Sequence, residues 1–246
     1  LCIVARVIDL SVAAPVFNEA DGIERVLRRW RAVLDATSLR TEIVLTDDGS
    51  TDATGSVLAR LQREVEGLRV QTFHPNHGYG FALGRAIAAT RGAWVVTLDS
   101  DGQFDLAEAL PMLERCKAEG LDFVTGYRRA KRDDVLRVAA DRGLNLLVRR
   151  MFGLDLRDTN CALKVIRGEL ARSLAIEARG YPTPTEITVK LLALGAKGTE
   201  MPVSHGERLA GTSKLRLLST SVDTTCFLLY LRGKIGLYRA GVIQTL

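Results

Sequence analysis

The chain has 246 residues, 47% hydrophobic and 26% charged, with a formal net charge of +5, which suits one large or two small globular domains with a sizeable core. No signal-peptide layout is visible behind Leu1. Four scattered cysteines (Cys2, Cys116, Cys161, Cys226) and three histidines (His74, His77, His205) form no Cys-x-x-Cys or His-Glu-x-x-His, which argues against a disulfide framework and a zinc hydrolase and fits a reducing compartment.

In chain order, Ile8–Pro15 is an apolar run expected as a strand, ending at Pro15-Val16-Phe17-Asn18-Glu19, where Asn18 is a candidate cap for a helix with Ile23, Val26, Leu27 and Trp30 inward. Glu42–Thr46 is a second strand, broken by Asp47-Asp48-Gly49-Ser50-Thr51-Asp52, and a helix to about Glu66 follows with Val57, Leu58, Leu61 and Val65 inward. Leu68–Phe73 is a third strand, and Gly78-Tyr79-Gly80 precedes a helix through Thr90. The run Ala93–Leu98 is a buried strand that stops at two carboxylates, Asp99 and Asp101. A helix at about Leu106–Glu119 and a fifth strand, Asp122–Thr125, complete the first half. This alternation implies an α/β fold, a mostly parallel sheet with helices on both faces.

Open α/β sheets bind ligands at the carboxyl ends of their strands. Asp99 and Asp101, with Gln103 as a third oxygen donor, suit Mg²⁺ or Mn²⁺, which keep waters and share substrate phosphates. An isolated Asp-x-Asp after a strand is also a common turn; here the first, second and fourth strand ends carry acids beside helix starts. No Gly-x-x-x-x-Gly-Lys-Ser/Thr occurs, and Gly78-Tyr79-Gly80 is too short for a dinucleotide fingerprint. A nucleotidyltransferase would want a Gly-rich Arg/Lys loop after the first strand, and none is present.

The charge is uneven. Residues 128–150 carry eight Lys or Arg against three Asp, and residues 205–246 carry six against two acids, so the rest of the chain is net negative. One basic surface facing an anionic partner is expected. Without a reader motif or an aromatic stacking platform that partner is not nucleic acid; an anionic membrane surface or a lipid phosphate fits the mixture of Arg and apolar residues. The longest late apolar run, Cys226–Leu231, is far short of the roughly 20 residues of a spanning helix. Leu217, Leu218, Phe227, Leu228, Leu231, Ile235 and Leu237, with Leu144, Leu146, Leu147, Val148, Met151 and Phe152, suit interfacial helices among cations; a helix packed on the core is the alternative.

The ordered set Pro15–Glu19, Thr46–Asp52 and Asp99–Gln103 resembles the nucleotide-sugar motifs of glycosyltransferase family 2 with its GT-A fold. More narrowly the chain resembles the dolichyl-phosphate mannose and glucose synthases and their bacterial polyprenyl-phosphate relatives. Asp158-Thr159-Asn160-Cys161-Ala162-Leu163-Lys164 is similar to their Asp-Thr-Gln-Cys-Gly-Phe-Lys, with Ala162 for the usual Gly. Gly180-Tyr181 with Glu186 resembles the segment that places an acid near the acceptor, and Arg208-Leu209-Ala210-Gly211-Thr212-Ser213-Lys214 looks like Arg-x-x-Gly-x-Ser-Lys.

The resemblance implies a GT-A catalytic domain over residues 1–215, with a nucleotide-sugar half (1–127) and an acceptor half (128–215), followed by a membrane-associating amphipathic tail (216–246). Pro15, Phe17, Glu19, Thr46 and Asp48 would line the base and ribose, with Asp99, Ser100 and Asp101 along the ribose and diphosphate. Asp101 and Gln103, with Asp99, would hold Mg²⁺ or Mn²⁺. Arg128, Arg208 and Lys214 would clamp phosphate oxygens, and Arg142 would face the acceptor. The implied reaction is inverting transfer of a hexose, glucose or mannose, from UDP-glucose or GDP-mannose to polyprenyl or dolichyl phosphate at the cytoplasmic face of a membrane. A phosphate acceptor is already anionic and needs no base. Two alternatives stand beside it: transfer to a sugar hydroxyl of a glycan, with Glu186 as base, and a catalytically silent nucleotide-sugar-binding scaffold. Membrane-embedded subunits or a second copy of the chain are further partners open to it.

Overall fold

The computed structural model describes residues 8–128, 135–206 and 217–246, without the side chains of 135–142 and 217–221. The first half alternates as the periodicity predicts: β1 (Leu10–Val16), α1 (Ile23–Asp35), β2 (Thr41–Asp47), α2 (Thr54–Glu64), β3 (Leu68–Thr72), α3 (Tyr79–Ala88), β4 (Trp94–Thr97), then a 3-10 turn (Leu106–Glu108) into α4 (Ala109–Glu119) and β5 (Phe123–Arg128). The second half holds α5 (Val135–Phe152), β6 (Lys164–Arg167), α6 (Gly168–Ser173), α7 (Thr183–Ala193), β7 (Gly198–Val203) and α8 (Leu217–Arg239).

The seven strands form one sheet in the order β3-β2-β1-β4-β6-β5-β7. β1 pairs in parallel with β2 and β4, β2 with β3, and β5 with β7, while β6 is antiparallel to β4 and β5. β6 therefore enters the sheet at the rim where β4 and β5 leave it, with Lys164 beside Thr97 and Thr125.

Period-two alternation sends strand side chains to both faces. Leu10, Val12, Ala14 and Val16 of β1 join α1, α2 and α4 through Leu27, Trp30, Leu58, Leu61 and Met112. On the other face Ala13 and Val95 meet Leu83 and Ile87 of α3 and Ile187 and Leu191 of α7. A third cluster joins Val148 of α5, Val189 of α7 and Leu228, Leu231 and Ile235 of α8, with Leu246 closing it. Each such fully buried side chain contributes about 1.5–3 kcal/mol. Cys116 and Cys161 are buried thiols and Cys226 is exposed on α8.

Two local expectations are corrected. Asn18 does not cap α1: it takes a left-handed conformation (φ 54°), its Oδ1 accepts from Thr51 N–H, and α1 starts after Gly22. The second concerns α8. Leu228, Leu231 and Ile235 pack with Val148 of α5 and Val189 of α7 instead of facing an interface, because burying that stripe completes the core. Leu146 and Leu237 do stay exposed. Among the described residues, no helix is long and apolar enough to cross a membrane.

Candidate functional site

The carboxyl ends of β2, β1 and β4 lie side by side, with Pro15 in register with Thr46 and Ala13 with Thr97. The sequence motifs that follow these strands therefore meet on one rim. Ser100 Oγ donates to Pro15 O at 2.7 Å, tying the turn after β4 to the end of β1. Asp101 is 5% exposed, and its Oδ1 accepts from Gln103 N–H at 3.0 Å. Thr46 is fully buried beside Pro15, with its hydroxyl unpartnered. Glu19 N–H donates to Thr54 Oγ1, which fastens the 17–20 turn to the start of α2.

Asp47 accepts from Ser50 N–H and shapes the Asp-Asp-Gly-Ser turn. Asp48 has its carboxylate committed to the next loop, accepting from His77 N–H at 3.0 Å and Gly78 N–H at 2.6 Å. Its part at the rim is thus to seat the start of α3. That helix carries Tyr79, whose hydroxyl donates to Asp99 Oδ1 at 2.8 Å. Burial, and then the negative charge of Asp99, raise the Tyr79 phenol well above its usual range, so it remains a donor. Sequence reasoning missed this pair. Its signal was the Gly on either side of Tyr79, dismissed as too short for a nucleotide fingerprint.

The segment after β7 docks on the same turn. Gly206 N–H donates to Gln103 O at 2.8 Å, Gln103 Nε2 donates to Gly206 O at 3.1 Å, and the His205 ring meets the edge of Phe104 at 4.9 Å. Arg208 follows Gly206 by two residues, and Gln103 follows Asp101 by two. Arg208 and Lys214 themselves, like the side chain of Arg142, lie outside the described residues.

As holders of a divalent ion, Asp99 and Asp101 offer hard carboxylate oxygens, and no group of three His, Cys, Asp or Glu is assembled among the described residues. That donor set fits Mg²⁺ or Mn²⁺ sharing a substrate's phosphate oxygens, not an all-protein cage. Gln103, assigned as a third donor, turns its amide nitrogen to Gly206.

Two assigned residues have other occupations. Arg128, at the end of β5, is gripped by Asp158 through Nε at 2.7 Å and Nη2 at 3.1 Å, with both side chains nearly buried. Arg128, expected to clamp phosphate, is held in a fork pair by Asp158 of the 158–164 motif. In the same motif Thr159 N–H and Oγ1 donate to Asn145 Oδ1 on α5. Lys164 is wholly buried, its ammonium donating to Thr125 Oγ1 at 2.8 Å, and burial pushes its pKa down to about 8.

Glu186 is likewise occupied within the protein. In place of an acid facing the acceptor, its carboxylate is fully buried near the start of α7, accepting from Glu177 N–H at 3.0 Å and Ala178 N–H at 2.8 Å and pairing with Lys190 Nζ at 2.7 Å. The physical reason is that Lys190, one turn on, is also fully buried and needs the charge. Lys190 also donates to Glu177, which accepts in turn from Tyr230 Oη at 2.8 Å and Lys234 Nζ at 2.7 Å of α8. Burial opposes ionisation of Glu177, yet these three donors hold its pKa down at about 2.

Residues 11–171 match the family model described as glycosyl transferase family 2. The undecaprenyl-phosphate 4-deoxy-4-formamido-L-arabinose transferases of Salmonella paratyphi A and Salmonella dublin are each 29% identical over 222 residues, covering 88% of this chain and 67% of theirs. Among solved structures, glucosyl-3-phosphoglycerate synthase from Mycobacterium tuberculosis in complex with phosphoglyceric acid aligns with a TM-score of 0.70 at 24% identity, over 92% of this chain and 80% of that one. A structure of the same enzyme with Mn²⁺ and UDP-glucose gives 0.64 at 25% identity, over 92% and 79%. The α/β sheet is thus of the GT-A type.

Proposed function

Because the chain belongs to glycosyl transferase family 2, we propose that it is a metal-dependent inverting glycosyltransferase that moves a hexose from a nucleoside-diphosphate sugar to polyprenyl phosphate at a membrane surface. The relatives, named as undecaprenyl-phosphate transferases, support the acceptor, and a neighbour holding Mn²⁺ and UDP-glucose supports the donor class. Those relatives carry an arabinose derivative by name; glucose on UDP is the donor proposed here, with mannose on GDP as its competitor.

The choice of a phosphate acceptor over a hydroxyl is carried by one observation: Glu186, the acid that hydroxyl transfer would need as base, is buried and saturated by two N–H groups and Lys190. A phosphate monoester needs no proton removed, so positioning and charge neutralisation do the work. Asp99 and Asp101 would hold Mg²⁺ or Mn²⁺, which when bound neutralises charge on the leaving diphosphate. Pro15, Phe17, Glu19 and Thr46 would border the base and ribose, and Ser100 fixes the Asp99–Asp101 turn against β1. Arg208 and Lys214 would meet the phosphates, with Arg142 on the acceptor side.

Membrane placement has support of its own. The large hydrophobic residues left exposed among the described residues are Leu146 of α5 and Val222, Leu229, Tyr230, Leu237 and Val242 of α8 and its end, beside exposed Arg232 and Arg239. That mixture suits a surface lying on anionic lipid. The test is a thermal-shift panel of UDP, UDP-glucose and GDP-mannose with and without Mn²⁺, followed by transfer to a short polyprenyl phosphate. Mn²⁺-dependent stabilisation by UDP compounds and transfer to the lipid phosphate are expected. Transfer to a glycan hydroxyl alone, or metal-dependent binding with no transfer, would overturn the reading.

A further inference from the structure

Between the sheet rim and α7 runs a continuous set of short contacts that ends on Asp99. Glu186 receives the N–H groups of Glu177 and Ala178, Lys190 donates to Ala175 O, Ala175 N–H donates to Leu246 O, and Thr183 Oγ1 donates to Gly180 O at 2.7 Å. The backbone from 175 to 180 is therefore held at nearly every peptide by groups that are themselves buried. On this backbone lies the first turn of α3, with Gly80 N–H directed at Arg179 O. A Cβ on Gly80 would collide with Ala178 O and come within 2.7 Å of Thr183 Oγ1, and one on Gly78 would collide with Arg179 O. Gly78 also has φ +101°, a conformation that side chains disfavour. Two glycines are thus what let these backbones touch, and the residue between them is Tyr79. Asp48 holds the same turn through His77 and Gly78.

We propose that Glu186 and Tyr79 are positioning residues for Asp99: Glu186 fixes the 177–180 backbone, that backbone seats the Gly78–Gly80 turn, and the turn aims the Tyr79 hydroxyl at the Asp99 carboxylate. The inference rests on the reading that Asp99 helps to hold the cation of a nucleoside diphosphate. A carboxylate carried on a turn has several rotamers; a fixed O–H donor selects one before the ligand arrives, which lowers the ordering cost of binding. Neither residue touches substrate in this role. Glu186 acts some distance from the rim through backbone, which explains why a buried acid sits where an acceptor-side base was expected.

The experiment measures Mn²⁺ affinity by electron paramagnetic resonance in the presence of saturating UDP, beside turnover, for the full chain. Wild type should bind Mn²⁺ more tightly with UDP than without; if it does not, the donor-site reading fails and this inference with it. Tyr79→Phe keeps the ring and removes only the donor, and should weaken UDP-supported Mn²⁺ binding about tenfold, the scale of one hydrogen bond to a charged group, in a protein that still folds. Unchanged Mn²⁺ affinity in Tyr79→Phe, with wild type behaving as expected, would overturn the proposal alone. Glu186→Ala, if it folds, should weaken Mn²⁺ binding in the same way, and adding Tyr79→Phe should cost little more, since both act on one contact. Glu186→Gln retains an acceptor for the two N–H groups and should restore Mn²⁺ affinity and keep turnover within about a hundredfold. A Glu186→Gln protein with normal Mn²⁺ affinity and turnover down about 10⁴-fold would make Glu186 a base and sink the idea.

Discussion

The two halves of the sheet treat their acids differently. At the rim of β2, β1 and β4, Asp47, Asp48 and Asp101 accept from backbone N–H groups and Asp99 from a phenol. In the half built by β5, β6, α7 and α8, Asp158 grips Arg128, and Glu186 and Glu177 share Lys190. A neutral donor orients a carboxylate without cancelling its charge, whereas a guanidinium or ammonium does both. The first arrangement shapes loops, and the second makes rigid joints. The same residue types thus shape the proposed binding rim in one region and scaffolding in the other.

The sharpest way to break this contrast is at the rim. Asp101→Ala should abolish transfer, a fall of at least about 10³-fold, and remove the Mn²⁺ dependence of nucleotide binding, while calorimetry finds a folded protein. Metal-dependent binding equal to wild type would put Asp101 on the scaffolding side. In the other half the larger effect should be on stability. Lys190→Met leaves Glu186 buried without its ammonium and should cost about 3–5 kcal/mol by denaturant titration. A loss below about 1 kcal/mol would mean that the joint is not the strut described.

Smaller effects sharpen the boundary between joint and surface. Lys234 is held by Glu177, so the cations left to meet lipid on α8 are Arg232 and Arg239. Reversing both to Glu should weaken flotation with anionic vesicles by on the order of 1 kcal/mol per charge and leave UDP binding alone. A parallel fall in UDP affinity would show that α8 belongs to the donor side. The mildest change is with pH. Glu177, lowered to about 2 from an ordinary 4.5, contributes stability that is present above about pH 4.5 and lost as the pH falls toward 2. Protection factors along α8, corrected for intrinsic exchange at each pH, should fall in that acid window; protection constant from pH 6 to 2.5 would remove Glu177 from the joint.

Much of this was legible in the sequence where the physics is local. Strand alternation around Val95 and Val96, followed by Asp and Gly turn residues, announces both a strand and its end, so the rim residues Pro15, Thr46, Asp99 and Asp101 were found together. What was not legible is pairing across long separations. Nothing near Arg128 names Asp158, thirty residues on, and nothing near Tyr79 names Asp99. β6 was not foreseen, since Lys164–Arg167 is too short to read without its neighbours in the sheet. Glu186 and Lys190 stand one helical turn apart in plain view, yet only the packing of α7 under the 175–178 backbone and α8 reveals that both are buried.

The distribution of thiols offers a practical handle. Burial pushes the Cys116 thiol up to about 11 and Cys161 up to about 12, so neither yields the thiolate that alkylating dyes require. Cys226 stands exposed on α8. With Cys2 replaced by Ser, a maleimide fluorophore will mark that helix on an otherwise unaltered sequence, and its emission will report the polarity α8 meets when lipid vesicles are added.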